Sequence, residues 1–191
     1  MMCLNMLSTR NAMQTDVPWQ VQVATALDTS DITQLVNSAY RGEGSKRGWT
    51  TEADILGGQR TDLQSIGGFV TQNNSVILVV RNEAKKLVAC VCLEKKEPDL
   101  AYLGMLTVNP SLQKSGLGKF LLKAAEEYVE KSWKIHQLEM TVISVRHELI
   151  EWYQRRGYIL SSERRPFPMK DPRFGIPKSD FLEFVVLSKR V

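Results

Sequence analysis

The stretch that most constrains the fold runs from Tyr102 to Val129, where a strand pattern changes into a helix pattern across a glycine-rich turn. Residues 102–108 are mostly apolar and end at Asn109-Pro110, because proline fixes φ and has no N–H to donate to a sheet. From Gly116 onward the apolar residues recur at helical spacing. The sequence therefore predicts a β-strand over 102–108 and an α-helix that begins after Gly116.

The turn between these elements, 113–119, has the properties of an anion site. The first backbone N–H groups of a helix have no partner within the helix, and the helix dipole adds positive potential there. Gly116 and Gly118 allow a ligand to approach the backbone because they carry no Cβ. A diphosphate could accept several N–H bonds at once, with Lys114 or Lys119 adding charge. A tight strand-to-helix connection without a ligand is the alternative that two glycines alone would favour.

Two known phosphate-binding loops do not fit this turn. The P-loop requires a glycine, four further residues and then Gly-Lys-Ser/Thr, but Gln113 stands at the first glycine position and Phe120 follows Lys119. The dinucleotide fingerprint requires three glycines in an early βαβ unit, and this turn has only Gly116 and Gly118. The turn belongs to neither class.

The turn does match the Q/R-x-x-G-x-G/A motif of the GNAT superfamily of N-acetyltransferases, which the chain resembles from about 75 to 187. The three fixed positions of that motif are occupied by Gln113, Gly116 and Gly118. A second match covers 149–158, which resembles a later helix of the family and places Tyr153 four residues before Gly157. Both motifs occur in the family order.

The resemblance implies a fold and an activity. The fold would be a single-domain α/β structure, with a mixed central sheet of about seven strands, helices on both faces and a splayed parallel strand pair at the cofactor cleft. The activity would be the direct transfer of an acetyl group from acetyl-CoA to a primary amine. The residues that the resemblance assigns to coenzyme A are Leu106, Thr107 and Val108 of the strand, and Gln113, Lys114, Ser115, Gly116, Leu117, Gly118 and Lys119 of the turn.

Acetyl transfer to an amine requires a neutral amine, a donor for the oxyanion, and a proton or donor for the departing thiolate. The resemblance assigns the last role to Tyr153, because a phenol with a pKa of about 10 is protonated at neutral pH. By residue type alone, a core tyrosine with a backbone partner is the alternative. The family often has an asparagine seven residues earlier, where this chain has Arg146, and the cofactor contact at that position stays open.

Neither the general base nor the acceptor can be identified from the sequence. The titratable groups near the expected acceptor region are Glu43, Glu52, Asp54, His147 and Glu148. A surface charge or a helix cap is the more frequent role for each of them, and water could also relay the proton. Segments 41–58 and 164–178, which carry Trp49, Phe167 and Phe174, are expected to form opposite walls of the acceptor pocket. A polyamine, an amino acid, an aminoglycoside-like drug and a protein or peptide amine all remain open as acceptors.

Length and composition predict one domain in a reducing compartment. The 191 residues suit a GNAT-like domain over 19–191 that follows a disordered tail over 1–18. No apolar run approaches the roughly 20 residues of a membrane span, and the N-terminus lacks the pattern of a secretory signal. Three cysteines favour a cytoplasmic protein over a disulfide framework. Cys90 and Cys92 share one face of a strand without nearby metal ligands, so core packing is expected rather than zinc or another metal.

The net charge of +4 is unevenly distributed along the chain. From Gln154 onward, nine Lys or Arg residues stand against four Asp or Glu residues. These basic residues are scattered and have no stacked aromatic residues between them, which disfavours nucleic-acid binding and favours attraction of a phosphorylated cofactor. A catalytically silent acyl-CoA sensor or interaction domain of GNAT fold is the main alternative function, and a nucleic-acid adaptor is another. A monomer and a homodimer are both compatible with the sequence.

Periodicity and turn residues predict the remaining elements. The predicted strands are 19–24, 75–81, 87–93, 136–142, 158–162 and 181–188, and the predicted helices are 32–39, 52–56, 62–69 and 146–156. The strand at 136–142 is expected to run parallel to 102–108, because a helix connects the two.

Overall fold

The computed structural model describes residues 19–191, so the tail predicted over 1–18 lies outside the described residues. The strands are β1 (Val21–Val23), β2 (Leu56–Gly57), β3 (Ser75–Arg81), β4 (Leu87–Glu97), β5 (Leu100–Val108), β6 (Gln137–Ile143), β7 (Ile159–Pro166), β8 (Ile176–Pro177) and β9 (Glu183–Arg190). The helices are α1 (Thr29–Tyr40), α2 (Gly42–Ser45), α3 (Leu63–Thr71), α4 (Leu117–Tyr128, continued by a π-helical turn) and α5 (His147–Gln154).

Seven strands form one mixed sheet in the order β1-β3-β4-β5-β6-β9-β7, which confirms the predicted α/β fold. The one parallel pair of this sheet is β5 with β6, and its pairing stops at Tyr102 with Glu139. Beyond that point the two strands no longer pair with each other, although each keeps its other neighbour. The expected splayed pair is therefore present, and a cleft opens between the C-terminal ends of β5 and β6.

The alternation of side chains along the sheet creates a core on each face. In β3, Val76, Leu78 and Val80 belong to the same buried cluster as residues of α4, whereas Ile77 and Val79 belong to a second cluster with residues of α1 and α3. Because apolar residues fill both faces, the sheet is covered by helices on both sides. This packing fixes the positions of the strand ends that border the cleft.

A β-bulge distorts β5 next to the cleft. The register with β4 shifts between the pairs Cys92 with Gly104 and Cys90 with Thr107. Met105 lies inside this shift and has a φ of 51°, which is unusual for a residue with a side chain. Bulges occur preferentially next to active sites, where they redirect side chains and end pairing. The bulge changes the direction of β5 immediately before Leu106.

From the sequence, Cys90 and Cys92 are expected to pack in the core, and no apolar run is long enough for a membrane span. Cys90 and Cys92 are buried free thiols within the core, and burial raises the pKa of Cys90 to about 12. No helix within residues 19–191 has the length and apolarity that crossing a membrane requires.

The helix predicted over 52–56 does not form. The amides of Ile55 and Leu56 both donate to the carbonyl of Glu52, which closes a single turn, and the chain then enters β2. The pairing of β2 with β8 in a separate two-stranded sheet draws the backbone into an extended conformation. The segment that precedes this turn contains the short helix α2, which the sequence patterns do not predict.

Candidate active site

Two cavities meet at the splayed strand ends. The first, called the cofactor cavity below, lies between the end of β5, the start of α4 and helix α5. The second, called the acceptor cavity, lies between the diverging parts of β5 and β6. The residues that line both cavities are Tyr40, Leu106, Arg146, Leu149 and Tyr153. A ligand in one cavity would therefore meet a ligand in the other at this set of side chains.

Most of the residues that the sequence assigned to the cofactor lie at the first cavity. Six of them line it, namely Leu106, Thr107, Val108, Gln113, Lys114 and Gly118. Ser115, Gly116 and Lys119 lie beside these residues in the same turn and the first turn of α4. Leu117 is fully buried in the core and contributes packing through its side chain.

The turn before α4 leaves backbone N–H groups free of helix partners. Gly116 is the N-cap with a φ of 90°, and the first helical bond runs from the amide of Phe120 to the carbonyl of Gly116 at 3.0 Å. The amides of Gly118 and Lys119 precede that bond, so no helix carbonyl accepts from them. A Cβ on Gly118 would lie 3.6 Å from Val108 Cγ2 and would project into the wall of the cofactor cavity. The turn therefore fits a phosphate-bearing ligand that approaches the backbone closely.

Side chains already contact both backbone carbonyls of β5 that the resemblance assigns to pantetheine. The hydroxyl of Tyr40 donates to the carbonyl of Leu106 at 3.2 Å, and Gln113 Nε2 donates to the carbonyl of Val108 at 3.5 Å. A carbonyl oxygen has two lone pairs, so each can still accept a second donor. The Tyr40 contact could not be predicted from local sequence patterns, because α1 and β5 are far apart along the chain.

Gln113 also fixes the segment that precedes Thr50. Its Oε1 accepts a hydrogen bond from the backbone N–H of Trp49 at 2.8 Å. A Cβ at Gly48 would lie 2.4 Å from Gln113 Oε1, so a larger residue there would displace the glutamine side chain. The ring of Trp49 then lies 6.4 Å from that of Trp152, and both rings line the cofactor cavity. The motif glutamine thus has a structural contact in addition to the cofactor role that the resemblance implies.

Tyr153 lies on the inward face of α5 and is 5% exposed. Its ring packs edge-on against Trp152 at 5.0 Å and against Tyr158 at 5.6 Å, which holds it in place. Burial and then the nearby Tyr40 raise the pKa of its phenol above the ordinary value, while the guanidinium of Arg146 offsets part of that increase. The phenol is therefore protonated at neutral pH, at the junction of the two cavities.

A buried charge cluster forms one side of the acceptor cavity. Glu52 Oε1 accepts from Arg146 Nη1 at 2.8 Å, and Glu52 Oε2 accepts from Arg41 Nη1. Arg146 Nη2 also donates to Thr50 Oγ1 at 2.5 Å. Burial alone would raise the pKa of Glu52, but the guanidiniums of Arg146, Arg60 and Arg41 outweigh it and hold that pKa below its usual range. The carboxylate is therefore ionised and is a weak proton acceptor.

The other candidates for a general base do not line the two cavities. Glu43 and Asp54 form exposed ion pairs with Lys46. His147 is exposed, and Glu148 is about half exposed and accepts from the hydroxyl of Thr50 at 3.0 Å. Of the five groups considered from the sequence, Glu52 alone lines either cavity.

The two segments expected to form opposite walls of the acceptor pocket are neighbours. Leu56 pairs with Pro177 and Gly57 with Ile176, so segments 41–58 and 164–178 are joined by the β2–β8 sheet. Phe167 and Phe174 do line the acceptor cavity, as expected. Trp49 lines the cofactor cavity instead.

Comparison with known families decides the classification of the chain. A family model described as "Acetyltransferase (GNAT) family" matches residues 31–158, which include the turn before α4 and Tyr153. The chain belongs to the GNAT acetyltransferase family. Membership makes this GNAT protein an acyltransferase. A search of curated proteins finds no significant match.

Solved structures support the fold of this GNAT protein. The ribosomal-protein-S18-alanine N-acetyltransferase of Escherichia coli is 15% identical with a TM-score of 0.66, and the match covers 91% of this chain and 94% of that one. An N-acetyltransferase of Staphylococcus aureus Mu50 is 13% identical with a TM-score of 0.66, covering 90% and 97%. The spermidine/spermine N-acetyltransferase of Vibrio cholerae is 13% identical with a TM-score of 0.64, covering 90% and 92%. At these identities the likeness concerns the fold.

Proposed function

We propose that this GNAT protein is an acetyl-CoA-dependent N-acetyltransferase that moves an acetyl group directly to a primary amine. The observation that carries the proposal is the meeting of two cavities at Tyr153. One cavity ends at the free amides of the turn before α4, and the other opens between β5 and β6. Direct transfer requires the two substrates to be held together at one point, and this geometry provides such a point.

The cofactor cavity has the groups that coenzyme A requires. The backbone N–H groups from Gln113 to Lys119 would donate hydrogen bonds to the diphosphate, with the ammonium groups of Lys114 and Lys119 adding positive charge. The backbone of Leu106, Thr107 and Val108 would pair with pantetheine, because β6 no longer occupies that edge of β5. Bound in this way, acetyl-CoA supplies the thioester that is the acetyl donor.

Tyr153 is proposed as the general acid. Its Oη would donate a proton to the sulfur of the departing thiolate, and its raised pKa keeps that proton in place until the sulfur becomes basic. Complete transfer of the proton to sulfur becomes more costly as the pKa of the phenol rises. The neighbouring guanidinium of Arg146 therefore assists by lowering that pKa. The phenol thus serves both as a hydrogen-bond donor and as a proton source.

A water relay is proposed for the removal of the proton from the attacking amine. Both oxygens of Glu52 already accept hydrogen bonds from guanidinium groups, and its pKa is lowered. We assign Glu52 a positioning role, in which it holds Arg41 and Arg146 in the cavity wall. We also propose a cytoplasmic location and a small-molecule or peptide amine as the acceptor. A nucleic-acid partner is disfavoured, because the basic residues of the C-terminal part are scattered.

Replacing Gly118 tests how the diphosphate is bound. A valine at this position would fill the space beside Val108 and Trp152, so coenzyme A could no longer reach the amides. The backbone tolerates the change, since Gly118 does not have a positive φ. We expect Gly118→Val to weaken coenzyme A binding at least about tenfold in a calorimetric titration, because several charge-assisted hydrogen bonds are lost. The matched control is Gly67→Val in α3, where a Cβ meets nothing within 4 Å, and equal affinity of the two variants would contradict the account.

The activity itself is tested by release of free thiol from acetyl-CoA in the presence of a panel of amines, with mass spectrometry of the product. We expect thiol release and N-acetylated product in equal amounts for at least one primary amine. Coenzyme A binding without any transfer across the panel would favour the silent acyl-CoA sensor instead.

A further inference from the structure

The acceptor cavity carries more positive than negative charge. Three arginines, Arg41, Arg60 and Arg146, line it together with one carboxylate, Glu52. The lowered pKa of Glu52 keeps that carboxylate ionised, so the lining carries an excess of positive charge, which the half-exposed Glu148, 3.8 Å from Arg146 Nε, offsets only in part. Buried charges in proteins are normally balanced by a partner, because an unbalanced charge in a low-dielectric site is costly.

The two buried arginines, Arg41 and Arg146, each have an N–H group without a hydrogen-bond partner among the described residues. Arg41 is 7% exposed and Arg146 is 5% exposed. The Nε groups of both are buried and have no hydrogen-bond partner among residues 19–191. Buried polar groups are nearly always paired, so guanidiniums with incomplete hydrogen bonding in the cavity wall suit a ligand that accepts hydrogen bonds from their remaining N–H groups. A guanidinium presents its donors as a fork that matches a carboxylate.

Arg60 is the third cation of this wall and the most accessible one. It is half-buried, and its guanidinium lies 5.5 Å from the centroid of the Tyr40 ring. Within the part of the chain that the structure describes, its side chain forms no hydrogen bond or ion pair. Its charge is therefore available to a ligand, and the contact with Tyr40 directs it toward the junction of the two cavities.

Apolar side chains make up much of the remaining lining of the acceptor cavity. The side chains that make it so are Leu56, Met140, Phe167, Phe174 and Phe184. Phe167 packs against Phe174 at 6.3 Å and against Phe184 at 5.2 Å, which gives a fixed aromatic surface. An acceptor that suits the whole cavity thus has an apolar part as well as an anionic group.

We propose that the acceptor is an amine that also bears a carboxylate, of the class of amino acids with apolar side chains, and that Arg41, Arg60 and Arg146 bind this carboxylate. The inference rests on the proposed N-acetyltransferase function and specifies its substrate class. The carboxylate balances the excess charge and accepts hydrogen bonds from the guanidiniums, while the side chain packs on the phenylalanines. A polyamine is rejected by the same charges, since like charges in a confined site repel.

The test compares matched acceptors that differ only in the carboxylate. Leucine, methionine and phenylalanine are each paired with the amine obtained by removing the carboxyl group, and spermidine is included as a polycation. We measure kcat/KM with acetyl-CoA by thiol release. In parallel, calorimetry measures binding of each N-acetylated product to the protein loaded with coenzyme A. We expect at least one amino acid to exceed its decarboxylated partner by about tenfold or more in both measurements, and spermidine to give no measurable transfer.

The Arg60→Gln variant tests whether the preference for a carboxylate arises in the acceptor cavity. Arg60 has no side-chain bond in the described structure, so the variant should fold even if changes at Arg41 or Arg146 do not. We expect the ratio between amino acid and decarboxylated amine to fall at least about threefold. Arg190→Gln removes the same charge at the exposed end of β9, beside the start of β6 and away from the cleft, and should leave the ratio unchanged.

The outcomes separate this inference from the proposed function. Transfer to amines with no preference for the carboxylate, or an unchanged ratio in Arg60→Gln, would overturn the inference and leave the N-acetyltransferase function intact. Carboxylate-dependent binding that is weakened in Arg60→Gln, without transfer, would uphold the inference and overturn the function. If succinyl-CoA were preferred over acetyl-CoA with the decarboxylated amines, the arginines would serve the acyl donor, and the inference would be wrong.

Discussion

We expect the Tyr153→Phe protein to keep its fold and its affinity for coenzyme A while kcat falls by about 10²–10⁴-fold, or roughly 3–5 kcal/mol of transition-state stabilisation. Phenylalanine preserves the edge-on packing against Trp152 and Tyr158, so only the hydroxyl is lost. Without it, a thiolate would leave a buried site with no proton and no donor. Because this interaction forms as the C–S bond breaks, kcat and kcat/KM should fall together.

The matched control is Tyr158→Phe. Tyr158 is a buried neighbour whose hydroxyl donates to Glu126 Oε1 at 3.1 Å and does not line either cavity. Its replacement should lower stability slightly and leave turnover at the wild-type level. An effect of Tyr153→Phe on KM alone would assign the phenol to substrate binding, and full turnover by this variant, with chemistry limiting the rate, would show that water or another group protonates the thiolate.

The second large effect is expected from Glu52→Gln. The substitution leaves Arg41 buried without a counter-ion and leaves Arg146 with only the half-exposed Glu148, 3.8 Å away. Removing one partner of a buried ion pair typically costs about 3–5 kcal/mol. We expect the free energy of unfolding, measured by urea titration, to fall by that amount. The control in the same region is Glu43→Gln, which removes an exposed ion pair with Lys46 and should change stability by less than about 1 kcal/mol.

The effect of Glu52 should depend on pH in a defined direction. Its folded-state pKa lies below the ordinary value of 4.5, so its contribution to stability is fully present above that pH and is lost as the pH falls through the lowered value. The difference in unfolding free energy between wild-type and Glu52→Gln should therefore shrink in acid. A difference that stays constant from neutral pH down to the acid transition would contradict the ion-pair account.

Local patterns along the chain were sufficient to predict most of the fold. The strand, turn and helix from 102 to 128 could be predicted because proline, glycine and helical periodicity are local signals. The parallel pairing of β5 and β6 followed from the intervening helix. The failed prediction of a helix over 52–56 has a tertiary cause, since the β2–β8 pairing joins segments more than a hundred residues apart and draws Leu56 into an extended conformation.

The residues of the candidate site show the same difference between local signals, which can be predicted, and long-range packing, which cannot. The motif residues Gln113 and Gly118 and the aromatic Tyr153 could be found because the family keeps them at fixed local spacing. Arg41 and Arg60 could not, since their position in the acceptor cavity depends on long-range packing of α1 and the following segment against β5 and β6. Arg146 stands where the family often has an asparagine, and its ion pair with Glu52 depends on long-range packing that local patterns do not predict.

A crystal structure with bound coenzyme A would show whether acetyl transfer can occur where the two cavities meet. We expect the diphosphate on the amides between Gln113 and Lys119, pantetheine along the free edge of β5, and the sulfur within hydrogen-bond distance of Tyr153 Oη. A sulfur far from Tyr153, or a diphosphate away from the start of α4, would contradict the account.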